Sequence, residues 1–146
     1  MIVTGGASGL GGATVEMIVA AGGHALIADV NEQTGTAAAA RLGASVRFIR
    51  TDVTSDTDMQ RAVEAAVQAF GAVHGLVCAA GIAVAERVLP KEGVQPLAHF
   101  VRTINVNLIG TFNAIRLAAA AMAAKIRPRC DSASARCPCH LAMGLL

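Results

Sequence analysis

Three glycines near the start of the chain have a spacing that suits the binding of a phosphate. Gly5, Gly9 and Gly11 lie between a short apolar run and a stretch with helical spacing. Glycines allow a tight turn, a close approach of a pyrophosphate, and close packing of a helix on a strand. The free N–H groups and the dipole at the start of the helix would face the anion. The alternative is a glycine-rich turn that binds no ligand.

Two aspartates follow later apolar runs and could bind an adenosine. Asp29 comes 18 residues after Gly11, close to the spacing of about 20 in a dinucleotide-binding unit. There it would accept both ribose hydroxyls and repel a 2′-phosphate, which favours NAD over NADP. The alternative role of Asp29 is a helix N-cap. Asp52 is either an acceptor for the adenine amino group or a turn aspartate.

The elements that position these residues alternate between strand and helix. Continuous apolar runs are typical of parallel strands buried on both faces, and βαβ units alternate in this way. We predict strands at 1–3, 24–29, 45–50 and 73–80, and helices at 10–21, 32–42, 56–70 and 97–125. The fold class is therefore α/β, a Rossmann-like doubly wound parallel sheet. It is incomplete, with about four strands in the order 3-2-1-4 and then a long helix.

Two further groups of residues stand out along this framework. The small residues Ala79, Ala80 and Gly81 follow the fourth run and would let a cofactor ribose approach the backbone closely. Asn105 and Asn107 fall in the middle of the long helix, where asparagine is less favourable than alanine. Each is either a functional residue or part of a satisfied hydrogen bond between helices.

Composition favours a globular domain and argues against several classes. The chain has 146 residues, of which 54% are hydrophobic and 15% charged, and a net charge of +2. Aromatic residues make up 3%, with no concentrated basic face, so we expect no nucleic-acid partner. His24 and Arg116 interrupt the longest apolar runs, so we expect no membrane partner. The start of the chain has no basic secretory region, so we expect a cytoplasmic location.

The character of the sequence changes after Lys125. We divide the chain into a dinucleotide-binding domain of residues 1–125 and an irregular tail of residues 126–146. The tail places Cys130, Cys137 and Cys139 beside His140. This spacing matches no common zinc finger or ribbon, so we predict no metal site.

Several motifs together resemble the short-chain dehydrogenase/reductases: Thr4-Gly-Gly-Ala-Ser-Gly-Leu-Gly11, Asp29, Asp52-Val53, Cys78-Ala-Ala-Gly81 and residues 105–112. Residues 81–86 and 107–116 are most similar to the type 2 3-hydroxyacyl-CoA dehydrogenases, relatives of 17β-hydroxysteroid dehydrogenase type 10. The resemblance covers residues 1 to about 124. One departure is that the family usually has an asparagine where Cys78 or Ala79 stands.

The resemblance implies an NAD-dependent oxidoreductase that acts on a 3-hydroxyacyl-CoA or a related secondary alcohol or ketone. Asn107 matches the family's asparagine that bends its helix and holds a water in a proton relay, so we assign it to the catalytic site. Spacing and resemblance together give the predicted cofactor contacts as Gly5, Ser8, Gly9, Leu10, Gly11, Asp29, Asp52, Val53, Ala79, Ala80 and Gly81.

The catalytic pair of that family has no counterpart in this chain. The family uses a Tyr-x3-Lys pair assisted by a serine, in which the tyrosine is the acid/base and the lysine lowers its pKa. The chain contains no tyrosine, and Lys125 is its last lysine. We therefore expect a dehydrogenase by family that is inactive as written. The alternative function is a dinucleotide-binding fragment without catalysis.

The expected partners are a small-molecule substrate and a second copy of the chain. The fourth strand would be an apolar edge, and such edges pair with other chains. The long helix carries Phe100, Leu108 and Phe112 on its apolar side, part of which we expect to be exposed. An exposed apolar patch favours self-association.

Overall fold

The computed structural model describes residues 1–91 and 93–126. Strands and helices alternate from the start of the chain up to the fourth strand. The elements are β1 (Ile2–Thr4), α1 (Gly9–Ala20), β2 (Ala25–Asp29), α2 (Glu32–Leu42), a 3₁₀ turn (Gly43–Ser45), β3 (Val46–Arg50), α3 (Asp56–Phe70), β4 (Leu76–Cys78), α4 (Leu97–Ile104), a π-helical segment (Asn105–Gly110) and α5 (Thr111–Ile126). The predicted tail and its cysteines lie outside the described residues, apart from the end of α5, so those predictions stay untested.

The four strands form one parallel sheet in the order β3-β2-β1-β4. This confirms the predicted order. The register aligns Ile2 with Leu26 on one side and with Leu76 on the other. Because every strand runs in the same direction, the carboxyl ends of all four strands lie at one edge of the sheet, where α/β proteins bind their ligands.

Alternate residues of the two central strands point to opposite faces of the sheet. Ile2 and Leu26 pack on one face with Ala62, Val63 and Ala66 of α3. The other face belongs to Val3, Ala25, Ile27 and Val46, packed with Val15 of α1. Burial on both faces explains why β1 and β2 are continuous apolar runs rather than alternating ones.

Polar residues fix where the helices begin. The side chain of Asn31 accepts a hydrogen bond from the N–H of Thr34 and caps α2. Ser55 caps α3 by accepting from the N–H of Asp58. These caps satisfy N–H groups that the first turn of a helix leaves without a partner. The caps place the start of each helix beside the strand end that precedes it.

The predicted long helix is three segments rather than one regular helix. Asn105–Gly110 is π-helical, between α4 and α5, and such segments occur frequently at functional sites. Gly110, Ala114 and Ala118 are buried, and small residues let the helix approach the neighbouring elements closely. Phe100 and Phe112 are 59% and 64% exposed. Exposure of part of the apolar side, which the sequence predicted, is therefore observed in the described part of the chain.

The helical run Leu97–Ala124 has 28 residues and contains an 18-residue window with a mean hydropathy of 1.3, so it is long and apolar enough to cross a membrane by length and composition alone. A packed helix of a globular domain passes the same test. Here α5 contacts α3 and β4, and the run carries Asn107, Asn113 and Arg116, which bind other parts of the domain. The absence of a membrane partner stays a prediction.

Strand β4 pairs with β1 alone among the described residues. Its three residues are half-buried, unlike those of β1, which are fully buried. The outer edge of β4 is thus open in the part of the chain that the structure describes. This is the edge at which the sequence predicted association with another chain.

Candidate cofactor-binding site

A cavity of about 800 Å³ lies at the edge of the sheet where the strands end. Its walls are the glycine-rich turn after β1, the segments that follow β2, β3 and β4, and one side of α4. All the predicted cofactor contacts line this cavity: Gly5, Ser8, Gly9, Leu10, Gly11, Asp29, Asp52, Val53, Ala79, Ala80 and Gly81. Asn107 does not line it, but binds a residue that does.

The three glycines of the turn differ in what a side chain would meet. Gly5 has φ +67°, and a Cβ there would lie 2.6 Å from the backbone nitrogen of Ala80. At Gly11 a Cβ would lie 2.1 Å from the carbonyl oxygen of Gly5. Gly9 has φ +55° and open space around its Cβ position. Gly5 and Gly11 therefore serve packing, while the space above Gly9 is free for a ligand to approach the backbone.

The start of α1 presents N–H groups to the cavity. Ser8 precedes the helix and makes no side-chain capping bond, and its carbonyl accepts the first helical hydrogen bond from Gly12. The N–H groups of Gly9, Leu10 and Gly11 have no acceptor within the helix, as in any first turn. With the positive end of the helix dipole, they form a site suited to a pyrophosphate.

Asp29 is held in a fixed orientation at the end of β2. One carboxylate oxygen accepts from the N–H of Ala7 at 3.1 Å, and the other from the N–H of Asn31 at 3.0 Å. Asp29 is not the N-cap of α2, since Asn31 takes that role. Each carboxylate oxygen keeps a further lone pair, and the group faces a cavity wide enough for a ribose.

Asp52 forms the aspartate turn that was one of the two roles left open by the sequence, and its role with adenine stays a prediction. One of its oxygens, Oδ1, accepts from the N–H of Thr54 at 2.9 Å and from its hydroxyl at 2.7 Å, an aspartate turn. The Asp52 N–H donates to Oδ2 of Asp58 at 3.0 Å. The second oxygen of Asp52 makes none of these bonds and can accept from a ligand. The backbone of this turn and the side chain of Val53 form the part of the cavity wall that follows the end of β3.

Backbone bonds to Thr4 hold the segment after β4. The N–H of Ala79 donates to the Thr4 carbonyl at 3.0 Å, and that of Ala80 to the Thr4 hydroxyl at 3.4 Å. These bonds bring Ala79 and Ala80 against the glycine turn. Cys78 precedes them, and burial raises the pKa of its thiol, so the thiol stays protonated at neutral pH. Cys78 is half-buried and packs against the apolar cluster of Val53, Met59 and Ala114.

Asn107 in the π-helical segment binds the chain just beyond β4. Its Nδ2 donates to the Ile82 carbonyl at 2.8 Å, and its Oδ1 accepts from the Ile82 N–H at 2.9 Å. A Cβ at Gly81 would lie 3.4 Å from the same Oδ1. Asn107 thus holds the loop after β4, and its amide binds this loop instead of a neighbouring helix. Its predicted role in a proton relay stays a prediction.

Sequence reasoning missed the wall that α4 and the start of the π-helical segment contribute. Ala98, Val101, Arg102, Asn105 and Val106 line the cavity. The long apolar helix carried no signal of which side would face a ligand, apart from the unfavourable mid-helix position of Asn105. Thr51, Thr54 and Ile82 were also missed, and each directly neighbours a predicted residue.

This arrangement can bind a dinucleotide but offers no general acid of the family's kind. The described lining includes backbone N–H donors, two aspartates and Arg102. The chain has no tyrosine anywhere. Within residues 1–91 and 93–126, no group of three or more His, Cys, Asp or Glu could hold a metal ion.

Comparison with known proteins agrees with this geometry. A model of the short chain dehydrogenase family matches residues 1–129. The bovine (Bos taurus) and human (Homo sapiens) 3-hydroxyacyl-CoA dehydrogenases type-2 are 48% and 46% identical over 123 residues, which is 83% of this chain and 47% of each relative. The chain thus spans about half the length of the curated relatives it matches.

A solved structure gives the same result. The crystal structure of 3-hydroxyacyl-CoA dehydrogenase type-2 from Mycobacterium avium superposes with a TM-score of 0.78 at 42% identity. It covers 84% of this chain and 49% of the other. The family match, the parallel sheet and the cavity at the strand ends lead to one conclusion: the chain belongs to the short-chain dehydrogenase family.

Proposed function

We propose that this chain binds NAD(H) in the cavity and represents the cofactor-binding part of a dehydrogenase for a 3-hydroxyacyl-CoA or a related secondary alcohol. The start of α1 would hold the pyrophosphate, Asp29 the adenosine ribose, and Asp52 with Val53 the adenine. When bound, the nicotinamide supplies hydride transfer. The chain's own residues bind and orient the dinucleotide.

The observation that carries this proposal is the orientation of Asp29. Two backbone N–H groups fix its carboxylate at the tip of β2. The next residues along the chain are Val30, Asn31 and Glu32, and none of these three is a cation that could bind a 2′-phosphate. A 2′-phosphate there would meet a carboxylate, and like charges brought together at a binding surface cost several kcal/mol.

Titration calorimetry with NADH and NADPH tests the cofactor assignment. We expect NADH to bind at least about tenfold tighter, a difference of about 1.4 kcal/mol. Asp29→Ala should narrow the difference, because the repulsion is removed. Glu32→Ala is the matched control: it removes a carboxylate from the adjacent helix that does not line the cavity, and should leave the preference unchanged. NADPH binding as tight as NADH binding would contradict the assignment.

We further propose that the 146-residue chain does not complete catalysis. Loss of general acid–base help reduces a rate by about 10²–10⁴-fold, and the chain lacks the tyrosine that supplies it in the family. Purified chain should therefore show no turnover of acetoacetyl-CoA with NADH, or of 3-hydroxybutyryl-CoA with NAD. A steady rate near the typical kcat of about 10 s⁻¹ would mean that another group acts as the acid.

A further inference from the structure

A buried asparagine that does not line the cavity binds the backbone of one cavity wall. This wall is the segment after β3, which contains Asp52 and Val53 and would contact adenine. Asn113 of α5 is 7% exposed. Its Nδ2 donates to the Val53 carbonyl at 2.9 Å and to the Ser55 carbonyl at 3.3 Å. These residues lie far apart in the chain, so the bonds join α5 to the segment between β3 and α3.

Arg116, one turn further along α5, determines which way the amide of Asn113 points. Its Nε and one terminal nitrogen donate to Oδ1 of Asn113 at 3.1 Å and 2.8 Å. A guanidinium has donors only, so it requires the amide oxygen on its own side. The amide nitrogen is thereby directed at the carbonyls of Val53 and Ser55. Arg116 is in turn paired with Asp56, at the start of α3.

The segment that Asn113 holds, between β3 and α3, is the one that would recognise adenine. Val53 lines the cavity, and a Cβ at Gly110 would lie 2.5 Å from its side chain. Asp52 is bound from the other direction by Asp58 of α3. The wall therefore rests on α3 and α5, and Asn113 supplies the hydrogen bonds from α5 to the backbone of the wall.

We infer that Asn113 is a positioning residue for cofactor recognition: by holding the Val53 and Ser55 carbonyls, it sets the place of Asp52 and Val53 and so the selectivity for adenine. This inference rests on the proposed function. Asn107, six residues earlier, holds the loop after β4. The π-helical segment and the first turn of α5 thus each carry one amide, and the two amides brace different walls of one cavity.

The test compares NADH with its hypoxanthine analogue, in which an oxo group replaces the 6-amino group of adenine. In the wild type we expect NADH to bind at least about tenfold tighter, because a hydrogen bond to a charged group such as Asp52 is among the stronger ones. Asn113→Asp keeps the volume and the Arg116 contacts but removes both donors. We expect it to lower this preference at least fivefold. Gln68→Glu makes the same amide-to-carboxylate change at an exposed position of α3 that does not line the cavity, and it should leave the preference unchanged.

Hydrogen exchange of the ligand-free chain provides a second measurement. Asn113→Asp should speed exchange of the amides of residues 52–56 and leave those of residues 79–82 unchanged. If Asn113→Asp does not fold, Arg116→Gln replaces it. The Arg116 side chain is 43% exposed, so we expect Arg116→Gln to fold. This variant should also lower the preference for NADH over its hypoxanthine analogue.

The outcomes are distinct. If the wild type binds neither dinucleotide, the proposed function fails and the inference fails with it. If the wild type prefers NADH and Asn113→Asp or its replacement keeps that preference, the inference alone is overturned. It is equally overturned if Gln68→Glu lowers the preference as much as Asn113→Asp does.

Discussion

Replacing Gly11 with alanine tests the packing that brings the glycine turn under the proposed cofactor. A Cβ at Gly11 would lie 2.1 Å from the carbonyl oxygen of Gly5. Gly12 is the next residue of the same helix, and its Cβ would lie 3.7 Å from the carbonyl oxygen of Gly6, an ordinary contact. The two positions differ chiefly in this one distance, so Gly12→Ala is the matched control.

The expected magnitude follows from these contacts. Alanine is favoured over glycine in a helix by up to about 1 kcal/mol, and both variants gain a similar part of that. Gly11→Ala must in addition open its contact with Gly5 by about 1 Å, and overpacking of this kind costs about 1–3 kcal/mol. The atom it meets belongs to the backbone, so no side-chain rotation relieves the contact. We expect Gly11→Ala to be about 2 kcal/mol less stable than Gly12→Ala.

Urea unfolding followed by circular dichroism measures this difference, and a common m-value for the two variants makes their midpoints comparable. A loss of about 2 kcal/mol is large beside the usual total free energy of unfolding of about 5–15 kcal/mol. Gly5 lies against the segment after β4, since a Cβ there would be 2.6 Å from the backbone nitrogen of Ala80, so its displacement should weaken NADH binding by about tenfold. Equal midpoints and equal NADH affinities for the two variants would refute this account of the turn.

Two further predictions concern acid stability and association. The N–H of Asp52 and the Arg61 guanidinium lower the pKa of Asp58, so its stabilising effect is present above the unfolded pKa of about 3.9 and is lost as pH falls through the folded pKa. Asp58→Asn should flatten the fall of the unfolding free energy between about pH 5 and pH 2, and an unchanged slope would contradict this. The exposed side chains of Leu108 and Phe112 and the open edge of β4 should give dimers or larger species in size-exclusion chromatography with light scattering, reduced in Phe112→Ser. A monodisperse monomer at about 100 μM with cooperative unfolding would show that this surface is covered.

Local sequence was sufficient to predict the glycine turn and the elements around it. The spacing of Gly5, Gly9 and Gly11 and the placing of Asp29 depend on residues close together in the chain. The strand order followed from general rules of parallel sheets. Helices α2 and α3 have the predicted bounds, and the other elements differ at their ends; β4, for example, is shorter than the apolar run that predicted it. Strand ends depend on pairing, which a single run of residues does not reveal.

The long helix shows what only the tertiary structure decided. Its composition predicted one apolar helix, yet the structure places a π-helical segment at Asn105–Gly110 and buries Asn113, while Phe112 beside it stays exposed. The buried amide of Asn113 binds carbonyls that lie 58 and 60 residues away along the chain. Propensity and periodicity describe near neighbours. The spacing of the glycines along the chain is therefore enough to predict the phosphate-binding turn after β1. The cavity wall after β3 depends on contacts that exist only once the sheet and helices have packed.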